Sequence, residues 1–173
     1  AVGGCVKRAL VHGPLGKMVE AKYGFTDERH AIIEMAAASG LALVDPDKRD
    51  PLITSTFGTG ELISTALDKG ATSITLALGG SATNDGGMGA MKALGAVFLD
   101  EKGKALEVVV ADLSKVAFID LSKFDSRVSS TKFYVMNDVT SPLTGISGAT
   151  QVFGPQKGAT AAALEELEKG MLS

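Results

Sequence analysis

One cysteine, Cys5, and no tryptophan occur among the 173 residues. A lone thiol excludes an internal disulfide and a thiolate-held metal cluster, and it suits a reducing compartment, so the expected setting is cytoplasmic. Aromatic residues make up only 5% of the chain against 45% apolar residues. The interior therefore falls to Val, Ile, Leu and Ala, as in layered α/β proteins, and Cys5 in its apolar surroundings reads as core. The two histidines, His12 and His30, stand at no metal-ligand or triad spacing and read as turn and strand-edge residues. Neither charge is in large excess: 17 Lys and Arg against 20 Asp and Glu leave −3, which gives no electrostatic reason for a nucleic-acid partner or an anionic membrane surface. No run approaches the ~18 apolar residues of a bilayer span, and AVGGCVKRALVHG lacks the charged-then-apolar order of a secretion signal. The length suits one domain. The chain opens on Ala1 rather than Met and ends in the helical pattern EELEKGMLS, which reads as a piece of a longer protein. Nothing in it speaks to pairing of chains.

Two short strands, GCVKRALVHG and KMVEAKYGF, flank His12-Gly13-Pro14-Leu15-Gly16 and predict a hairpin, with HAIIEM as a third strand. The first forty residues thus lean toward β. Ala36 to Gly40 form a helical turn, and VDPDKRDP is a polar loop bounded by proline. From Thr59, a possible cap, the period becomes helical: Leu62, Ile63, Ala66 and Leu67 share a face ending at Lys69-Gly70. TSITLAL is a buried strand. After it, Thr83, Asn84 or Asp85 can cap a helix through Met88, Met91 and Leu94. AVFLD, LEVVVADLSK as helix or strand, AFIDL, KFYVMND and a closing helix in ATAAALEELEKGM complete the alternation. The expected fold is α/β: a largely parallel, mixed sheet flanked by helices, in flavodoxin-like or Rossmann-like layering, with ligands beyond the carboxyl ends of the strands.

The stretch LALGGSATNDGGMGAMKALG, residues 77 to 96, joins a strand to a helix through bare backbone. Gly79, Gly80, Gly86 and Gly87 let amide groups approach a ligand while the helix offers its positive end, a geometry suited to an anion. The plainer alternative is a tight connection in which the glycines only permit close packing. Ser81, Thr83, Asn84 and Asp85 favour a site, because a cap needs only one such side chain. The spacing matches neither G-x-G-x-x-G nor G-x-x-x-x-G-K-[ST].

KFYVM ends in NDVTSPLTG, putting Asn137 and Asp138 at another carboxyl edge. Two acids at neighbouring strand ends can divide the work of phosphoryl transfer to an alcohol, one holding Mg²⁺ and one accepting a hydroxyl proton. Alternatively, Asp138 hydrogen-bonds its own turn. In FGPQKGAT, Lys157 can set a point charge on phosphate, although a loop lysine is commonly just solvated. In TSTFGTGELI, Gly58, Thr59 and Gly60 open a helix as a further anion site or as ordinary capping.

These segments, GGSATNDGGMGAMKALG with VFGPQKGAT, DVTSPLTG, TSTFGTGELI and IIEMAAASGLALV, closely resemble the bacterial glycerate kinase family of type I, over essentially the whole chain. The resemblance implies a two-domain α/β kinase with one domain inserted into the other and the active site between them. This chain, residues 1 to 173, corresponds to the inserted α/β domain, and an acidic glycine-rich segment before it and a glycine- and alanine-rich region after it are missing. It also implies transfer of the γ-phosphoryl of ATP, with Mg²⁺, to D-glycerate, giving a phosphoglycerate usually described as the 2-phosphate. Carried over by position, the family's glycine loop is Gly79 to Gly87, the aspartate of its DV motif is Asp138, its FGPQKGA lysine is Lys157, and TTYGTGEL falls on Ser55 to Leu62. Asp138 or Asp85 would orient or deprotonate the hydroxyl while the other positions Mg²⁺. Gly79, Gly80, Ser81, Thr83, Asn84, Gly86, Gly87, Thr59 and Asn137 would hold ligands beside Lys157. Many relatives carry Asn where Ser141 precedes Pro142 here. The isolated chain is expected to be inactive, and a ligand-binding domain without catalysis of its own is the alternative.

Overall fold

A computed structural model describes residues 3–107, 110 and 112–173. Strands β1 (Gly4–His12) and β2 (Met18–Thr26) form an antiparallel hairpin in full register from Gly4↔Thr26 to His12↔Met18. Its reversal is held by Gly13 N donating to Lys17 O at 2.7 Å. β2 pairs antiparallel with β3 (His30–Glu34), which lies parallel to β4 (Ser73–Ala77), itself parallel to β7 (Lys132–Met136). The result is a mixed five-stranded sheet in the order β1-β2-β3-β4-β7.

The other strands leave the sheet. β5 (Val97–Leu99) and β6 (Phe118–Asp120) pair antiparallel as a separate ribbon, so AVFLD and AFIDL do not continue the expected alternation. Val108, Val109 and Ala111 lie outside the described residues, and neither alternative for LEVVVADLSK as a whole is decided there. Leu113–Lys115 is a 3-10 turn.

Helices α1 (Ala36–Ser39) and α2 (Phe57–Asp68) pack on one sheet face. Leu62, Ile63, Ala66 and Leu67, spaced for one helix face, are buried with Val11, Ala31, Ile33 and Ile74 in the main core. α2 begins at Phe57, so Thr59 is inside the helix and does not cap it. Gly60 lets α2 approach α3 (Met88–Ala93) closely: a Cβ there would lie 2.3 Å from Ala90 O. α4 (Arg127–Ser130), α5 (Ala149–Phe153) and α6 (Ala161–Met171) follow. Thr160 caps α6 by accepting from Ala163 N at 3.2 Å. Among the described residues no helix is long and apolar enough to cross a membrane.

The opposite sheet face carries no helix among the described residues. Val6 and Leu10 of β1, Ile32 of β3, and Tyr134 and Met136 of β7 are exposed there. Cys5 is exposed too, against its reading as core: the first half of β1 runs past the helical layer, and only Ala9 and Val11 reach the core.

Candidate functional site

Because β4 and β7 are adjacent and parallel, the loops that follow them leave the same edge side by side, and Leu78 N donates to Met136 O at 3.1 Å across the exit. Gly79, Gly80 and Ser81 from one loop and Asn137 and Asp138 from the other line a cleft of about 400 Å³, with Lys157 as a further wall. The amides of Gly79, Gly80 and Ser81 find no acceptor among the described residues. Gly80 has φ +73°, which a side chain would strain. Successive free amides are the kind of group from which anion-binding concavities are built.

Opposite them, Asn137 closes its own turn, donating from Nδ2 to Val139 O at 2.9 Å and accepting from Val139 N at 3.3 Å. Asp138 is exposed and has no hydrogen bond or ion pair among the described residues. The turn bonding open to Asp138 on sequence grounds is thus done by its neighbour, and its carboxylate is available.

Lys157 ends a 3-10 turn, Pro155–Lys157, between α5 and α6. It is only 8% exposed, and its Nζ donates to Ser81 Oγ at 3.0 Å and to Thr83 O. Burial pushes its pKa down to about 8, opposed by the charge of Asp85. Neither acceptor is charged, so a third donor on Nζ has the means to meet an anion.

Asp85 is a correction. It is 2% exposed and is not a wall of this cleft. Its Oδ2 accepts from Thr56 N at 2.8 Å, Thr56 Oγ1 at 2.7 Å and Gly89 N at 3.2 Å, and its Oδ1 accepts from Gly87 N at 3.1 Å. Thr56 Oγ1 in turn accepts from Ala90 N at 2.9 Å. One internal carboxylate therefore ties the residue before α2 to the start of α3, and it does not face the cleft in which Mg²⁺ and a substrate hydroxyl were expected to meet it. Part of the glycine-rich stretch holds an anion indeed, and the anion is the protein's own.

The remaining residues sort by the same geometry. Thr83 is buried and contributes its carbonyl to Lys157. Asn84 Nδ2 donates to buried Thr150 Oγ1 at 3.0 Å, tying the loop to α5. Gly86 and Gly87, at φ +59° and +79°, turn the chain into α3. Gly86 borders a separate apolar cavity of about 330 Å³ with Met88 and Phe98. Thr59 is buried against Ser39, its Oγ1 2.7 Å from Ser39 Oγ, and is not a wall of the cleft. None of these five side chains or glycines lines the cleft, against the expectation for each. Thr56 was missed: it lies in a quoted motif, but the helix start that exposes its role is visible only in three dimensions. Among the described residues no group of three or more His, Cys, Asp or Glu is placed to hold a metal ion.

This site lies in a chain whose whole length matches one family. The pattern of the glycerate kinase family covers residues 1–173. Glycerate kinase of Bacillus subtilis (strain 168) is 53% identical over 172 residues, 99% of this chain and 45% of that protein. Glycerate 2-kinase of Escherichia coli (strain K12) is 48% identical, again over 99% of this chain and 45% of its own length. A crystal structure from Salmonella typhimurium LT2, assigned provisionally as glycerate kinase 2, superposes with a TM-score of 0.94 at 49% identity, covering 98% of this chain and 46% of that one. The chain belongs to the glycerate kinase family. It spans about 45% of the length of these curated relatives.

Proposed function

We propose that the protein carrying this chain transfers the γ-phosphoryl of ATP to a hydroxyl of D-glycerate, giving 2-phosphoglycerate, and that this chain forms one side of the active-site cleft. The observation that carries the proposal is the facing of unpaired amides and a buried cation, Gly79 to Ser81 and Lys157, against the free carboxylate of Asp138. Phosphoryl transfer through a loose transition state needs positioning and charge neutralisation more than covalent help. In this reading the amides and Lys157 hold an oxyanion. Asp138 orients the attacked hydroxyl and accepts its proton.

Mg²⁺ is commonly held by one or two carboxylates together with phosphate oxygens and water; the cleft offers one carboxylate, Asp138, which would either hold Mg²⁺ or serve the hydroxyl, the second acid then coming from the rest of the polypeptide. Bound there, it would neutralise charge on the transferred group. The remaining ligands come from ATP, water and the rest of the polypeptide.

That remainder is the partner of the bare sheet face and of edge strand β7. Tyr134, Val135 and Met136 are exposed along it, and parallel strands ordinarily have both faces covered. Residues 1 to 173 then act as the inserted domain of a two-domain kinase.

A coupled ADP-release assay of the full-length protein with D-glycerate, ATP and Mg²⁺ tests the reaction. Calorimetry of the 173-residue chain tests the binding part alone. Turnover by the full protein with ligand binding but no turnover by this chain is the expected result. Absence of D-glycerate-dependent ADP release from the full protein overturns the reaction, and release by the chain alone overturns the division of labour. Binding without turnover in either would leave the second reading, a carboxylate- or nucleotide-binding domain, for which the free amides and Lys157 of the cleft speak.

A further inference from the structure

We infer that this chain seats the nucleotide: the adenine base of ATP lies on an apolar wall of the cleft built by Leu78, Val139, Ala149 and Phe153, with the Gln156 amide reading its edge; this rests on the function proposed above. All five residues line the same cleft as Gly79, Asp138 and Lys157. Leu78 and Val139 are exposed and Phe153 is half-buried. The first argument is a mismatch with the smaller substrate. D-glycerate is a short hydroxy acid, polar at every carbon, and covers no apolar wall. Apolar side chains left exposed together in a concave place mark a ligand or partner site. A purine has flat apolar faces that an aromatic ring and a few aliphatic side chains enclose.

Continuity supplies the second argument. Leu78 immediately precedes Gly79 and Val139 immediately follows Asp138, so each of the two loops sets an apolar residue beside its polar ones. From a further side α5 supplies Ala149 and Phe153, one helical turn apart and so on one face. Thr150 is instead turned inward, its Oγ1 accepting from Asn84 Nδ2 at 3.0 Å. An apolar wall joined to free amides and an ammonium has the order of a base joined to its phosphates.

The third argument is Gln156. It is exposed, it directly precedes Lys157, and its side chain has no hydrogen-bond partner among the described residues. A side-chain amide offers a donor and an acceptor side by side, the complement of adenine N7 and its amino group. Guanine, with acceptors at both of those places, cannot complete the pair. Gln156 therefore adds a preference among bases that the apolar wall alone does not make.

Methyl and amide NMR of the full-length protein, titrated separately with adenosine, inorganic tripolyphosphate, ATP and D-glycerate, tests this. The methyl resonances of Leu78, Val139 and Ala149 are expected to move saturably with adenosine and ATP and to stay still with D-glycerate. The Gly79 and Gly80 amides are expected to answer to tripolyphosphate and ATP. By calorimetry, Phe153→Ala should weaken ATP at least ~10-fold, the scale of losing a base–aromatic stack, and leave tripolyphosphate within about twofold of the parent. Phe153→Leu, which keeps an apolar side chain, should fall between. Gln156→Ala should cut the preference for ATP over GTP at least ~5-fold. Unchanged melting temperatures establish that the variants are folded. If the glycine amides shift while ATP moves none of the methyls and Phe153→Ala binds ATP within about twofold of the parent, the apolar wall belongs to the remaining polypeptide, the inference is wrong and the cleft reading stands. Methyls that move with D-glycerate and not with adenosine overturn it as well. If no ligand moves either set, the cleft reading itself fails and takes this inference with it.

Discussion

Lys157 Nζ lies 3.0 Å from Ser81 Oγ, a residue 76 positions earlier, and donates also to Thr83 O. The turn before α6 and the loop after β4 are thus fastened at the floor of the cleft by one buried ammonium.

Burial sets the pH behaviour of that ammonium. Its folded pKa of about 8 lies below the 10.5 of an unfolded lysine, so between these values the unfolded chain binds the extra proton and stability rises with pH. At ~1.4 kcal/mol per unit, wild type should gain up to roughly 3 kcal/mol relative to Lys157→Met across that window. Urea unfolding of both proteins from pH 7 to 10 measures the difference. A difference that stays flat with pH would show that Lys157 is not desolvated.

The same titration governs binding. The affinity of the cleft for D-glycerate or phosphate is expected to decline as pH rises above about 8, because the ammonium then loses its charge. Calorimetry at pH 7 and 9 decides it, and equal affinities would remove Lys157 from the anion site.

Asp138→Asn in the full-length protein should lower turnover at least ~100-fold, the scale of removing a positioned acid–base group, with the melting temperature of the parent because the side chain bonds nothing among the described residues. Steady-state ADP release is the measurement. Activity within about threefold of the parent would exclude the assigned role.

Asp85→Ala separates the two acids by its opposite signature. It strips acceptors from three backbone amides and a hydroxyl in a buried place, and should lower unfolding free energy by about 3 kcal/mol or more in urea titration. A loss below about 1 kcal/mol would mean that the network is not structural.

Gly60 and Gly79 make a contrasting pair. A Cβ at Gly60 meets Ala90 O at 2.3 Å and Ala93 Cβ at 2.7 Å, whereas one at Gly79 meets nothing within 4 Å. Gly60→Ala should destabilise by roughly 1–3 kcal/mol, and Gly79→Ala by less than about 0.5 kcal/mol. Equal stabilities for the two variants in urea would contradict the close α2–α3 approach.

Local periodicity made much of this readable in one dimension. The spacing of Leu62, Ile63, Ala66 and Leu67 fixes the buried face of α2, and the strand-loop-helix order around Gly79 places the loop at the carboxyl edge beside Asn137 and Asp138. What failed depended on distant partners. Asp85 and Asp138 are the same residue type in similar polar surroundings, and only the start of α2, 29 residues before Asp85, decides which one turns inward. Cys5 sits in an apolar pattern that does not tell where the helical layer stops. The β5–β6 ribbon has ordinary strand composition, which carries no record of which sheet it joins.

The carboxylate seated across the starts of α2 and α3 has an electrical consequence. Helix dipoles are permanent, and a pocket built on them would grip anions with equal strength in acid or alkali. Here the starts of α2 and α3 are engaged internally, so beyond the fixed amides of Gly79 to Ser81 a visiting anion would be drawn by a protonatable side chain, and that share of the grip would follow the acidity of the surroundings.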